Sequence, residues 1–182
     1  MMTFVELLEK NGEAIVQRWL DAALAAYPHK SAGLFKRQKD RFANPVGHGL
    51  RVATQGIFEA LVDGGSDGVD AEKIRQHLRE IIKVRAVQEF SASQAVGFVF
   101  GLKEAVRAEL DQAARDPQIA SGLVKFEAEI DRVALAGFDL FVECREKVSE
   151  LRINEVKRRV SWIVDKMNER GSDPELAEAD SG

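Results

Sequence analysis

Three histidines and one cysteine are the side chains of this 182-residue chain whose types invite chemistry. His48 stands in the string RFANPVGHGL, residues 41–50, among a proline and two glycines. An imidazole near the start of a helix meets the positive end of the helix dipole, which disfavours protonation and leaves a ring nitrogen able to accept a hydrogen bond or ligate. His77 flanks a stripe of Ile74, Leu78 and Ile81, so it is a second inward imidazole of the kind a haem iron takes. His29 follows Pro28 in a loop and reads as solvated. His48, His77, Phe98 and Phe100 are therefore the candidate lining of a small-ligand pocket, in which haem is one conceivable guest and an empty, structural pocket is the plain reading. Cys144 falls on an apolar stripe, where a thiol is ordinarily inert packing, and it has no second cysteine to pair with.

No catalytic or metal-ligating set accompanies these residues. The sequence holds no GxSxG, GxxxxGK[ST], GxGxxG or HExxH string and no Cys/His cluster. Arg85 with Glu89, and Asp131 with Arg132, read as ion pairs rather than as acid–base machinery. We therefore assign no catalytic residue, no metal site and no required cofactor, and expect a chain that is not an enzyme.

The elements that must position the histidines have a helical period nearly throughout. Thr3 and Glu6 form a capping box before a face of Val5, Leu8, Ile15, Trp19 and Leu20, with Gly12 expected to divide the segment. Tyr27-Pro28 closes it, and residues 31–39 are expected to form a short connecting helix. Asn44 and Pro45 then open a new helix as cap and first residue, with Val46, Leu50, Ala53, Ile57 and Leu61 inward, until the DGGSDG turn at 63–68. Gly47, Gly49 and Gly56 inside it call for close approach of a neighbour or a ligand. Asp70 caps a helix whose core face is Ile74, Leu78, Ile81, Ile82 and Arg85. Ser91 and Gln94 open residues 91–110, read as one central buried helix.

Asp116-Pro117 opens the longest pattern, free of proline from Ile119 to about Arg170. Roughly 50 residues at 1.5 Å rise make a helix on the order of 75 Å, longer than a small domain is wide. Its apolar stripe changes face: Phe141, Cys144, Val148 and Leu151 give way to Ile153, Val156, Val160, Ile163 and Met167, displaced by two residues or about 200°. The first stripe suits packing within the domain. The second, flanked by charges such as Arg152, Glu155, Lys157, Arg158 and Arg159, suits a short coiled coil in a homodimer. The expected organisation is a helical sensory domain over residues 1–151, a coiled-coil extension over 152–170 and a disordered acidic tail over 171–182. The class is all-α, a bundle of about six helices with a long protruding C-terminal helix.

A net charge of −4 and a pI near 5.5 argue against nucleic acid as the partner. No apolar run nears the roughly 18 residues of a membrane span, so the expected location is the cytoplasm.

The strings KDRFANPVGHGL (39–50), IIKVRAVQEFSASQAVGFVFGLKEAVR (81–107) and FDLFVECREKVSELRINEVKRR (138–159) resemble the N-terminal domains of RsbRD-type co-antagonists, members of the RsbR family of the bacterial stressosome. The resemblance spans residues 3–159 and implies a globin-like, dimeric, non-enzymatic sensor that works without haem and passes a signal along its C-terminal helix. Proteins of this family continue into a STAS domain bearing phosphorylated threonines, whereas this chain runs into an acidic tail. Phosphorylation-dependent switching is therefore not carried over, and output is expected through a separate regulatory protein. Two other readings stand beside the sensor: a haem- or small-ligand-binding globin-like protein, and a structural adaptor of a larger redox enzyme complex.

Overall fold

The computed structural model describes residues 2–27, 44–64, 68–88 and 90–171, with side chains as far as Asn168. It contains helices α1 (Phe4–Ala25), α2 (Pro45–Asp63), α3 (Ala71–Val87), α4 (Ala92–Val96), α5 (Gly101–Leu110) and α6 (Pro117–Gly171), with 3-10 turns at Gly97–Phe100 and Ala113–Arg115. Among the described residues there is no strand, and the chain is all-α. It divides into two units, Met1–Cys144 and Arg145–Gly182. His29, the connecting helix expected over 31–39, Glu89 and the tail beyond Gly171 lie outside the described residues.

The first unit forms because each helix has one apolar face and the faces share one core. Leu8, Ile15, Trp19 and Leu20 of α1, Leu50, Ala53, Ile57 and Leu61 of α2, and Ile74, Leu78, Ile81 and Ile82 of α3 are all buried, on the stripes the spacing predicts, whereas Val5, expected on the α1 face, is exposed. Phe126, Ile130, Val133, Leu140 and Phe141 of α6 complete the core. The expected caps also form: the Thr3 hydroxyl accepts from the Glu6 amide at 3.2 Å while Glu6 Oε2 accepts from the Thr3 amide at 2.7 Å. That second bond holds the Glu6 carboxyl below its ordinary range, so the box is complete above the usual carboxylate pKa and weakens as pH falls through the lowered value.

Three local expectations are corrected. Gly12 does not divide α1; it lets the Phe58 ring of α2 approach, since a Cβ there would stand 3.0 Å from Phe58 Cε1. Residues 91–110 are not one buried helix but α4, a 3-10 turn and α5, and Phe100 is 46% exposed. The break has an identifiable cause. The Arg85 guanidinium donates to the carbonyls of Gln94 and Ala95, and Trp19 Nε1 donates to the carbonyl of Phe98 at 2.6 Å. Those oxygens would otherwise serve amides four residues on, and side chains entering that ladder bend or tighten a helix. Finally, Asp131 pairs with Lys103 at 2.6 Å and Arg132 pairs with Glu129, rather than with each other. Adjacent helical residues point about 100° apart, whereas i,i+3 neighbours meet.

Candidate functional site

The histidines are brought to one place by the way α2 begins. Asn44 is buried and its Oδ1 accepts the Gly47 amide at 2.8 Å, closing the N-terminus of α2. A Cβ at residue 47 would lie 2.2 Å from Asn44 Nδ2, so this cap requires glycine there. Pro45 follows as the first helical residue, and the His48 amide makes the first helical bond, to the Asn44 carbonyl at 3.0 Å. His48 thus sits in the opening turn with its ring half-buried.

His77 reaches the same place from α3. A Cβ on Gly56 of α2 would stand 2.3 Å from His77 Nε2, so the imidazole lies flat against the α2 backbone where glycine leaves room. Between the two helices opens a cleft of about 630 Å³, whose lining includes Tyr27, His48, Leu50, Val52, His77, Glu80 and Val84. Its walls are mainly aliphatic with few polar groups, the composition of small-molecule sites. Gly49 also lines it, and a Cβ there would meet nothing within 4 Å. The three glycines of α2 therefore have three separate reasons: a cap, a ring and an opening.

No group of three or more His, Cys, Asp or Glu side chains is arranged to hold a metal ion among the described residues.

Phe98 and Phe100 do not line this cleft with the histidines. Phe98 is buried and stacks on Trp19 with centroids 6.1 Å apart and planes 8° from parallel. Phe100 faces outward, with Lys103 Nζ 5.8 Å from its centroid. Phe98 belongs instead to a cluster around Arg85, which is 0% exposed. The guanidinium lies 5.3, 5.4 and 4.7 Å from the ring centroids of Tyr27, Phe90 and Phe98. It donates to Tyr27 Oη (3.3 Å), Gln94 O (3.2 Å), Ala95 O (3.1 Å) and Ala23 O (3.3 Å). Rings and carbonyl oxygens thus replace water around the cation. Tyr27 also lines the cleft, so one side chain joins the cleft to the cluster. The position of Arg85 on the α3 stripe was the available signal; its partners on other segments were not legible.

In the second unit, Ile153, Val156, Val160, Ile163 and Met167 lie on one α-helical stripe and are each between 49% and 67% exposed. In the first unit α6 carries further exposed apolar side chains, Val124, Leu135, Phe138 and Val142.

The model of one family, described as the RsbT co-antagonist protein RsbRD N-terminal domain, matches residues 13–156. No curated protein and no solved structure matches the chain. Among the described residues no helix is long and apolar enough to cross a membrane.

Proposed function

The chain belongs to the RsbRD N-terminal domain family, and from that premise we propose that it is a non-catalytic sensory module of stressosome-type signalling. The input is a small, largely apolar molecule bound in the cleft between α2 and α3. The output is the apolar seam on the C-terminal part of α6, presented to the RsbT-containing complex that the family's description points to. The globin-like arrangement, a cytoplasmic location and assembly in two copies through the exposed α6 face of Val124, Leu135, Phe138 and Val142 belong to the same reading.

The observation that carries it is the seam itself: five large apolar side chains in register, each about half exposed or more. Apolar surface kept in water forfeits about 25 cal/mol per Å², and a contiguous stripe of it marks an interaction surface rather than a fold. A route from the cleft to α6 exists inside the first unit. The α3 helix that carries His77 packs Leu78 within 3.8 Å of where a Gly137 Cβ would stand, and pairs Arg75 with Glu143 at 2.5 Å. A ligand favouring one position of α3 thereby favours one position of α6, and its leverage equals its difference in affinity for the two.

The test replaces Val156 and Ile163 together with aspartate in the full chain. Losing two buried aliphatic side chains to charges should weaken association with the RsbT-containing complex roughly a hundredfold, while melting of the first unit stays unchanged. Undiminished association of the double variant, measured by sedimentation or calorimetry, would refute the output role of the seam.

A further inference from the structure

The charges beside the seam say what covers it. Spacing of 3, 4, 3, 4 places Ile153, Val160 and Met167 at the a positions and Val156 and Ile163 at the d positions of a heptad. The flanking g positions are then Arg152, Arg159 and Lys166, and the e positions are Lys157 and Val164. Every charged residue flanking the seam from 152 to 167 is basic. The acids of this stretch lie off the flanks: Glu155 at c, where it pairs with Arg159, and Asp165 at f. Lys166 sits over the Trp162 ring, 4.7 Å from its centroid.

A second copy of this helix fits such flanks poorly. In a parallel pair each g residue meets the e residue of the following heptad on the other chain, which sets Arg152 against Lys157 and Arg159 against Val164. In an antiparallel pair g meets g and e meets e, which sets Arg152 and Arg159 against Lys166 and Arg159 on one side and leaves Lys157 against Val164 on the other. The apolar positions ask for a helix and the flanks ask for the opposite charge.

From this pattern we infer that the seam at 152–167 docks an amphipathic helix of a different protein, one whose apolar stripe is bordered by carboxylates. The intrahelical Arg159–Glu155 pair is exposed on both sides. Such pairs contribute little, so Arg159 can exchange that partner for one across the seam. The inference deepens the output half of the proposed function but stands on the charge pattern alone. A chain that binds such a helix yet ignores the RsbT-containing complex would refute the signalling reading only; the converse would refute this one only.

The experiment uses the full chain and two dye-labelled synthetic peptides with the same isoleucine and leucine stripe, one flanked by glutamate and one by lysine, each below the concentration at which it pairs with itself. Fluorescence anisotropy should show the glutamate peptide bound about tenfold tighter or more at roughly 0.1 M salt, with the preference shrinking toward 1 M. The triple variant R152E/K157E/R159E should reverse the preference, with melting of the first unit unchanged as the check on folding. Equal binding of the two peptides, or binding of neither, overturns the inference. So does self-association of the full chain, measured by sedimentation without peptide, that the V156D/I163D variant abolishes, which would make a second copy the occupant of the seam.

Discussion

Replacing Arg85 with methionine should destabilise the first unit by about 3–5 kcal/mol, the combined cost of leaving several buried oxygens without their donor. The cation is held by four oxygens on two separate segments, those of Ala23 and Tyr27 at the end of α1 and those of Gln94 and Ala95 in α4. Methionine fills much of the volume and keeps contact with the rings of Tyr27, Phe90 and Phe98, but leaves buried carbonyls without donors at about 1–3 kcal/mol each. At roughly 2–4 °C per kcal/mol for a domain of this size, the melting temperature should fall by about 10 °C or more. Lysine should not rescue it. One ammonium cannot span acceptors that a planar fork reaches, and it loses the face-to-ring contact. Urea unfolding followed by circular dichroism checks this, and a methionine variant within about 1 kcal/mol of wild type would mean the cluster is incidental to the fold.

The second large effect is expected at Trp19, which is fully buried, stacks on Phe98 and donates to the Phe98 carbonyl. Truncation to alanine should cost about 3–5 kcal/mol, since the cavity would open between α1 and the 3-10 turn, where the backbone is already irregular. Phenylalanine separates the contributions. It retains most of the ring burial and loses the hydrogen bond, and because the Gly101 amide also donates to the Phe98 carbonyl, the oxygen is not orphaned. Its cost should be about 1–2 kcal/mol by the same unfolding measurement. Equal losses for the two variants would show that the hydrogen bond, not the ring, holds the turn.

Both predictions concern the part of the molecule least legible in the sequence. Helix faces followed from spacing: Leu50, Ala53, Ile57 and Leu61, or Ile74, Leu78 and Ile81, repeat often enough that burial is over-determined, and Asn44-Pro45 marked the start of α2 by local chemistry alone. The break after α4 was not legible, because SASQAVGFVFGLKEAV reads as helix by composition. What interrupts it is Trp19 and Arg85, 79 and 9 or 10 residues away along the chain, donating into its carbonyls. Gly12 misled for the same reason: glycine weakens a helix, and only the tertiary neighbour Phe58 shows why it is there. In the candidate site, the sequence singles out His48 by its place in the first turn of a helix and His77 by the stripe it flanks, and both line the cleft. Phe98 and Phe100 were grouped with them on hydrophobicity, which does not say which side of a 3-10 turn a ring takes. The seam beyond Leu151 was legible as a change of face; its one-signed flanks emerge only once the heptad is written out.

The central claim is that the cleft between α2 and α3 governs what the C-terminal part of α6 binds, and Gly49→Trp tests it most directly. The open space at residue 49 admits a large ring into the cleft as a tethered ligand mimic, and replacing a helical glycine offsets part of any strain. The account predicts that this chain melts no lower than wild type and that its dissociation constant for the RsbT-containing complex shifts by about fivefold or more, the range of an ordinary coupling between sites. A folded Gly49→Trp chain with the tryptophan ring in the cleft and the wild-type dissociation constant would contradict it.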